Sequence, residues 1–156
     1  MSETVIQVTS LGKRIKGKTI LEDISFEINQ GDCVALIGPN GAGKTVLMSC
    51  ILGDKKPSSG QVLIDGKAGK AKNKIAVLLQ ENTIPNSLKV EELIAFFQSI
   101  SDNPLTNQEV QELLQFKEDQ YQQFADKLSG GQRRLLAFVL CLIDKPKILF
   151  LDEPTA

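Results

Sequence analysis

One run of eight residues constrains this chain more than any other feature. It reads Gly-Pro-Asn-Gly-Ala-Gly-Lys-Thr and satisfies the pattern G-x-x-x-x-G-K-[ST]. Glycines in such a loop let backbone N–H groups converge on phosphate oxygens, and the lysine adds a positive charge. The run therefore predicts a cradle for the phosphates of a nucleotide. Its members are Gly38, Pro39, Asn40, Gly41, Ala42, Gly43, Lys44 and Thr45.

The segments on either side of this loop have the context that the motif requires. Residues 33–37 form a short apolar run, which predicts a strand buried on both faces. Apolar residues at helical spacing follow from Thr45 to Leu52, and Gly53 is the predicted helix end. Strand, glycine loop and helix is the arrangement in which this motif binds phosphate.

A second glycine motif stands at Leu128 to Gln132, where a serine precedes two glycines. The pentad opens a predicted helix, and the amides at a helix N-terminus attract anions. The alternative interpretation is a plain helix cap. A single triphosphate does not need two cradles, so the pair indicates a nucleotide bound between two copies of the chain. The predicted binding residues are Ser129, Gly130, Gly131 and Gln132.

The third element is an apolar run, residues 148–151, that ends in Asp152 and Glu153. Taken alone, it predicts a buried strand with a polar end. In a chain with a phosphate loop, such a strand delivers Asp152 to the coordination shell of Mg²⁺. Glu153 follows the strand end, where it could take a proton from water.

The order and rough spacing of these motifs resemble the ATPase domains of ABC transporters over essentially the whole chain. The phosphate loop comes first, followed by Gln80, the pentad Leu128 to Gln132, and Asp152 with Glu153. The resemblance implies an α/β fold with a P-loop NTPase-like core, an antiparallel β subdomain and a compact α-helical subdomain that carries the LSGGQ signature. It also implies that the C-terminal part of the domain is missing, because the sequence ends at Ala156.

The resemblance assigns roles to individual residues. Lys44 would contact the β- and γ-phosphates of ATP, while Thr45, Gln80 and Asp152 would hold Mg²⁺. Gln80 and Glu153 would be the catalytic residues, since both would face the attacking water. The signature residues Ser129 to Gln132 would grip the γ-phosphate of ATP bound to a second ATP-binding domain.

The resemblance also implies partners. They are a second ATP-binding domain, in a homo- or heterodimer, and a transmembrane permease contacted by Glu81, Asn82 and Thr83. The expected location is the cytoplasm, peripheral on the inner face of the cell membrane. The alternative is a non-transport soluble ABC protein, or a catalytically impaired, truncated nucleotide-binding module.

Three features depart from the family pattern. Ile15 stands where the family places an aromatic ring that stacks on adenine, and Val46 stands where a second hydroxyl is common. The chain contains no histidine, so the switch histidine of the family is absent.

Composition excludes other classes. The net charge is −1, which gives no indication of a nucleic-acid partner. The longest apolar run, Leu135 to Ile143, has nine residues and is too short to span a bilayer. Cys33, Cys50 and Cys141 are odd in number and lie in apolar segments, which predicts reduced core residues.

The order of predicted elements gives one domain over residues 1–156, since 42% of the residues are hydrophobic and can form one core. Strands are expected at Val5 to Val8, Ile20 to Ile28 and Gln61 to Ile64, with a surface loop at Lys67 to Lys74 and a buried strand at Lys74 to Gln80. Residues 1–80 and 144–156 are expected to form the nucleotide-binding core, and residues 81–143 the helical signature subdomain.

Two helices are expected within residues 81–143. One has a single apolar face, which comprises Val90, Leu93, Ile94, Phe97 and Ile100. The other opens with the capping box Thr106-x-x-Glu109 and contains Val110, Leu113 and Leu114.

Overall fold

The computed structural model describes residues 3–68, 75–78 and 84–152. The chain divides into two compact units, Met1–Lys72 and Asn73–Ala156. The strands are β1 Thr4–Ile15, β2 Lys18–Asn29, β3 Ser59–Ile64, β4 Lys67–Ala68, β5 Ile75–Leu78 and β6 Ile148–Leu151. The helices are α1 Lys44–Ile51, α2 Val90–Ser99, α3 Asn107–Leu114, α4 Glu118–Tyr121 and α5 Gly130–Leu142, with a 3₁₀ turn at Ala125–Lys127.

The first unit contains an antiparallel sheet with the strand order β2-β1-β3-β4. The hairpin between β1 and β2 is closed by Lys16 and Gly17, whose φ angles of 49° and 79° suit a two-residue turn of type I′. Ile15 pairs with Lys18 directly beside this turn. The antiparallel β subdomain and its three predicted strands are therefore confirmed, although β1 and β2 are longer than predicted. Part of the predicted surface loop, Lys67–Ala68, instead pairs with β3.

Helix α1 shares the apolar core of the first unit with the sheet. It begins at the predicted loop and ends at Ile51, with Leu52 as its C-cap. The N–H of Gly53 (φ 78°) donates to the carbonyl of Cys50 at 3.2 Å. The predicted helix is confirmed. The core residues of this unit are Val5, Ile6, Val8, Leu11, Leu21, Leu47, Cys50, Ile51 and Ile64.

The expected buried strand at residues 33–37 is wrong. This segment is irregular, its Cys33 is exposed, and the exposed fractions of Val34, Leu36 and Ile37 are 61%, 47% and 91%. A strand needs a paired neighbour for its backbone groups. None of the described strands pairs with this segment: β1 to β4 pair among themselves, and β5 pairs with β6. An apolar run alone does not specify a sheet partner.

The second unit is built around the predicted helices. Helix α3 begins at Thr106, whose Oγ1 accepts from the N–H of Glu109 at 3.2 Å while the Glu109 carboxylate accepts from the Thr106 N–H at 2.7 Å. These bonds lower the pKa of Glu109. The capping box is confirmed. The core comprises Leu78, Ile84, Val90, Leu93, Ile94, Val110, Leu114, Ala125, Leu128, Leu136, Ala137, Val139, Leu140 and Ile143.

The predicted apolar faces of α2 and α3 are only partly buried. Val90, Leu93 and Ile94 are in the core, but Ile100 is 65% exposed and Leu113 is 42% exposed. Ile100 is the residue at which α2 ends, so helical spacing no longer fixes where its side chain lies. Both residues therefore lie outside the core.

Strands β5 and β6 pair in parallel, from Ile75 with Ile148 to Leu78 with Leu151. Both strands are confirmed, although most of their residues are only half-buried and Leu151 is 40% exposed. Cys141 of α5 places its Sγ 3.8 Å from the Val77 carbonyl, and burial raises the pKa of this thiol. Within the residues that the structure describes, no helix combines the length and apolarity needed to cross a membrane.

Candidate functional site

The phosphate loop folds back on itself before α1. The N–H of Ala42 donates to the Pro39 carbonyl at 3.2 Å, which closes a turn. Gly41 and Gly43 have φ angles of 83° and 91°, in the left-handed region that favours glycine. Gly43 then begins α1, since its carbonyl accepts from the Leu47 N–H at 2.8 Å. The first helical amides therefore follow directly from the loop.

Gly43 also fits against strand β2. A Cβ atom added to Gly43 would lie 2.9 Å from Leu21 Cδ2 and 3.3 Å from Ile20 Cγ2. The first of these distances is shorter than a real carbon–carbon contact. This close approach, together with a φ of 91°, favours glycine where the loop contacts the antiparallel sheet.

Lys44 turns its ammonium group over the loop. Its Nζ donates to the carbonyls of Gly38 at 2.6 Å and Pro39 at 2.9 Å. An ammonium has three donors, so one remains for an incoming oxygen. Thr45 lies on the first turn of α1 and is exposed, while Val46 is half-buried. The loop thus combines glycines, a cation and an exposed hydroxyl.

The signature pentad forms a helix start of a different kind. Ser129 Oγ accepts from the Gln132 N–H at 3.2 Å, and Gln132 Oε1 accepts from the Ser129 N–H at 3.0 Å. Gly130 and Gly131 lie between these two residues and are exposed. A Cβ at either glycine would meet nothing within 4 Å. The reciprocal bonds form a capping box, and the space above the two glycines is open to an anion.

Asp152 follows directly from β6. Its N–H donates to the Leu78 carbonyl at 2.9 Å, so the backbone at Asp152 continues the pairing of the two parallel strands. Its carboxylate and the Thr45 hydroxyl are oxygen ligands of the type that Mg²⁺ prefers. The described residues contain no cluster of three or more His, Cys, Asp or Glu side chains that could hold a metal by itself.

The predicted site residues are divided between the two units. Gly38 to Thr45 belong to the first unit, whereas Ser129 to Gln132 and Asp152 belong to the second. Gln80 and Glu153 lie outside the described residues, as do Glu81 to Thr83. The catalytic assignments of Gln80 and Glu153 remain predictions.

One contact beside the signature motif could not be predicted from sequence. Arg133, the first residue after the pentad, donates from Nη2 to Asn86 Oδ1 at 2.9 Å. The two residues are 47 positions apart, so no local pattern links them. The bond ties the start of α5 to the segment that precedes α2.

The phosphate loop and the capped signature helix define a P-loop nucleotide-binding protein of the ATP-binding-cassette type. The family model described as "ABC transporter" matches residues 21–156. The chain therefore belongs to the ABC transporter ATP-binding family, whose members hydrolyse ATP.

Similarity to curated proteins supports this family assignment. The chain is 36% identical over 165 residues to the methionine import ATP-binding protein MetN of Legionella pneumophila, with 97% of this chain and 48% of that protein covered. It is 36% identical over 155 residues to the spermidine/putrescine import ATP-binding protein PotA of Protochlamydia amoebophila, with 94% and 41% covered. The chain thus spans about half the length of the curated relatives it matches.

A solved structure supports the fold. The protein cbiO1 from Clostridium perfringens, part of the ABC transporter complex cbiONQ, aligns with a TM-score of 0.83 at 27% identity. The alignment covers 99% of this chain and 67% of that chain. The α/β fold expected from the motifs is confirmed.

Proposed function

We propose that this chain binds Mg-ATP through residues 38–45 and hydrolyses it as the ATP-binding subunit of an ABC transporter. The phosphate loop carries the proposal. Its glycine turn, the cation of Lys44 and the start of α1 converge on one place, as a triphosphate site requires. ATP is the proposed nucleotide because the named relatives are ATP-binding proteins.

Magnesium would be held by Thr45 and Asp152, with Gln80 as a third ligand. When bound, the ion would neutralise charge on the β- and γ-phosphates. Lys44 would bind the same phosphates through its free donor and would exchange its bonds to the loop carbonyls for bonds to phosphate oxygens. Glu153 would take the proton of the attacking water.

The open glycines of the signature helix support a dimeric arrangement. Gly130 and Gly131 present their N–H groups without an acceptor among the described residues. We propose that they bind the γ-phosphate of ATP held by a second ATP-binding domain. A transmembrane permease would be the further partner, contacted by Glu81 to Thr83. Both named relatives are import proteins, so import is the proposed direction.

The test is calorimetric titration of the chain with Mg-ATP, combined with sedimentation analysis of Glu153→Gln in the presence and absence of ATP. We expect binding in the micromolar range typical of nucleotide sites and an ATP-dependent dimer in the variant. The variant Ser129→Ala with Glu153→Gln is the matched control, and it should bind ATP but dimerise less. Absence of ATP binding would refute the proposal, and binding without dimerisation would refute its dimeric part.

A further inference from the structure

Residues 86–90, which lead into α2, are hydrogen-bonded to the segment just before the signature pentad. The Leu88 carbonyl accepts from the N–H of Ala125 at 3.0 Å, and the N–H of Val90 donates to the Gln123 carbonyl at 3.0 Å. Val90 and Ala125 are fully buried. These bonds therefore join two segments that are both anchored in the core of the second unit.

A second attachment lies after the pentad, on the first turn of α5. Arg133 Nη2 donates to Asn86 Oδ1 at 2.9 Å, which connects this turn to the same anchored segment. The first buried residue of α5 is Leu136, so the helical residues before it are not fixed by core packing. The reciprocal bonds of Ser129 and Gln132 join residues of one turn, and they shape the turn without attaching it to the rest of the unit.

We propose that Arg133 is a positioning residue of the signature motif, which acts through its bond to Asn86. This inference rests on the proposed function, since it requires Gly130 and Gly131 to bind the γ-phosphate of ATP held by a second ATP-binding domain. The bond keeps the first turn of α5 in the orientation that this phosphate requires, and Arg133 does not contact the phosphate itself. Without the bond, a smaller fraction of the chains presents the two glycines correctly, and the apparent affinity falls by that fraction.

The chemistry of Asn86 separates positioning from charge. Arg133 donates to a neutral amide rather than to a carboxylate, so this bond does not neutralise its positive charge. A direct contact between Arg133 and phosphate would depend on that charge and would not need Asn86. A positioning role needs the bond and tolerates an ion pair in its place. Substitutions at Asn86 therefore distinguish the two roles.

The experiment measures ATP-dependent dimerisation of the 156-residue chain by sedimentation, with Glu153→Gln as the parent. Asn86→Ala removes the acceptor of the bond, whereas Asn86→Asp keeps an acceptor oxygen and adds an ion pair. An exposed bond of this kind contributes about threefold, and a symmetric dimer contains two signature motifs, so Asn86→Ala should weaken the dimer about tenfold. Asn86→Asp should dimerise within about twofold of the parent.

Two controls test whether the bond itself is responsible. Asn107→Ala is the matched variant, because Asn107 Oδ1 accepts from Gln98 Nε2 at 3.0 Å, in a bond between α2 and α3. It should leave dimerisation unchanged, and both alanine variants should bind Mg-ATP as the parent does. Arg133→Gln should weaken the dimer as much as Asn86→Ala, and the two substitutions combined should cause no further loss.

The other outcomes overturn the inference. A dimer as strong in Asn86→Ala as in the parent refutes it alone. A loss in Asn86→Asp equal to or greater than that in Asn86→Ala would assign the effect to the charge of Arg133. Equal losses in Asn86→Ala and Asn107→Ala would assign it to general stability, and additive losses in Arg133→Gln and Asn86→Ala would show that the two residues act separately. A parent that binds Mg-ATP without forming a dimer refutes the dimeric part of the proposed function, and this inference with it.

Discussion

The phosphate loop and the signature motif both place glycine amides at the start of a helix, but different forces hold them. Helix α1 starts at a left-handed Gly43 without a side-chain cap, and the loop is fixed by its contact with Ile20 and Leu21. Helix α5 starts at Ser129, which is capped by reciprocal bonds with Gln132. The first proposed anion site obtains its shape from tertiary packing, and the second obtains it from hydrogen bonds between residues close in the chain.

The two sites also differ in charge. The loop contains the ammonium of Lys44, whereas the signature pentad contains no ionisable side chain and offers only backbone donors and the helix dipole, about half a positive charge. A site of the second kind is suited to a ligand whose charge is largely neutralised elsewhere. This difference agrees with a proposal in which the loop binds ATP first and the signature helix closes on it afterwards.

The largest expected effect tests the charge difference. Lys44→Ala removes a charge-assisted hydrogen bond worth roughly 1.5–3 kcal/mol, so the affinity for Mg-ATP should fall by about one to two decades. Isothermal titration calorimetry measures this loss of affinity. Lys67→Ala is the control, because Lys67 is an exposed lysine of the same unit that pairs with Ile64, at the far end of β3 from the hairpin. Equal affinities in Lys44→Ala and the wild type would remove Lys44 from the site.

The second effect tests tertiary packing against local shape. Gly43→Ala adds a Cβ 2.9 Å from Leu21 Cδ2 at a residue with a φ of 91°. We expect it to lower the free energy of unfolding by about 2 kcal/mol. Gly131→Ala adds its Cβ in open space within a helix, and should leave stability unchanged or raise it by up to about 1 kcal/mol. Urea denaturation measures the free energy of unfolding of both variants, and equal m-values show that the comparison is valid.

The same pair of variants separates stability from function. If the signature amides bind phosphate closely, Gly131→Ala should reduce ATP-dependent dimerisation although it does not reduce stability. Equal destabilisation by Gly43→Ala and Gly131→Ala would contradict the view that only the first glycine is fixed by packing.

The sequence predicts local features of this molecule well. The helix that begins at the phosphate loop, the capping box at Thr106 and the helix that opens at the signature pentad all depend on residues close in the chain. Their geometry follows from backbone preferences and short-range hydrogen bonds, which the residue types determine. The parallel strand that precedes Asp152 was also predictable from its apolar run.

Features that depend on distant partners could not be predicted in this way. Residues 33–37 have the composition of a buried strand, but a strand forms only where another strand can pair with it. The close approach of Gly43 to Leu21 and the bond between Arg133 and Asn86 join segments that are 22 and 47 positions apart. No local pattern encodes such contacts, so the sequence identified the glycines of the loop but not the surface that supports them.

The third effect isolates the role of the serine cap. Ser129→Ala and Thr106→Ala remove helix caps of the same geometry, since both hydroxyls accept from the N3 amide at 3.2 Å. Each variant should lose about 1 kcal/mol of stability. Only Ser129→Ala should weaken ATP-dependent dimerisation in the Glu153→Gln background. If Thr106→Ala weakened dimerisation equally, lost stability would explain both results and the signature serine would have no specific role.

The smallest effect concerns the two thiols on either side of the phosphate loop, and it tests whether the segment before the loop is exposed. Cys33 is exposed, so Cys33→Ser should change the free energy of unfolding by less than about 0.5 kcal/mol. Cys50 of α1 is buried, which also raises its pKa, and Cys50→Ser should cost about 1–3 kcal/mol because it buries a hydroxyl.

Thiol reactivity checks the same contrast without changing the fold. A disulfide reagent should modify Cys33 rapidly in the native chain, whereas Cys50 should react slowly until urea unfolds the protein, because burial limits both access and the thiolate fraction. Mass spectrometry of the labelled chain identifies which thiol has reacted. Protection of Cys33 equal to that of Cys50, together with a large cost for Cys33→Ser, would mean that residues 33–37 are covered in solution. That result would restore the buried strand expected from the sequence, and the phosphate loop would then be supported on both sides by packing.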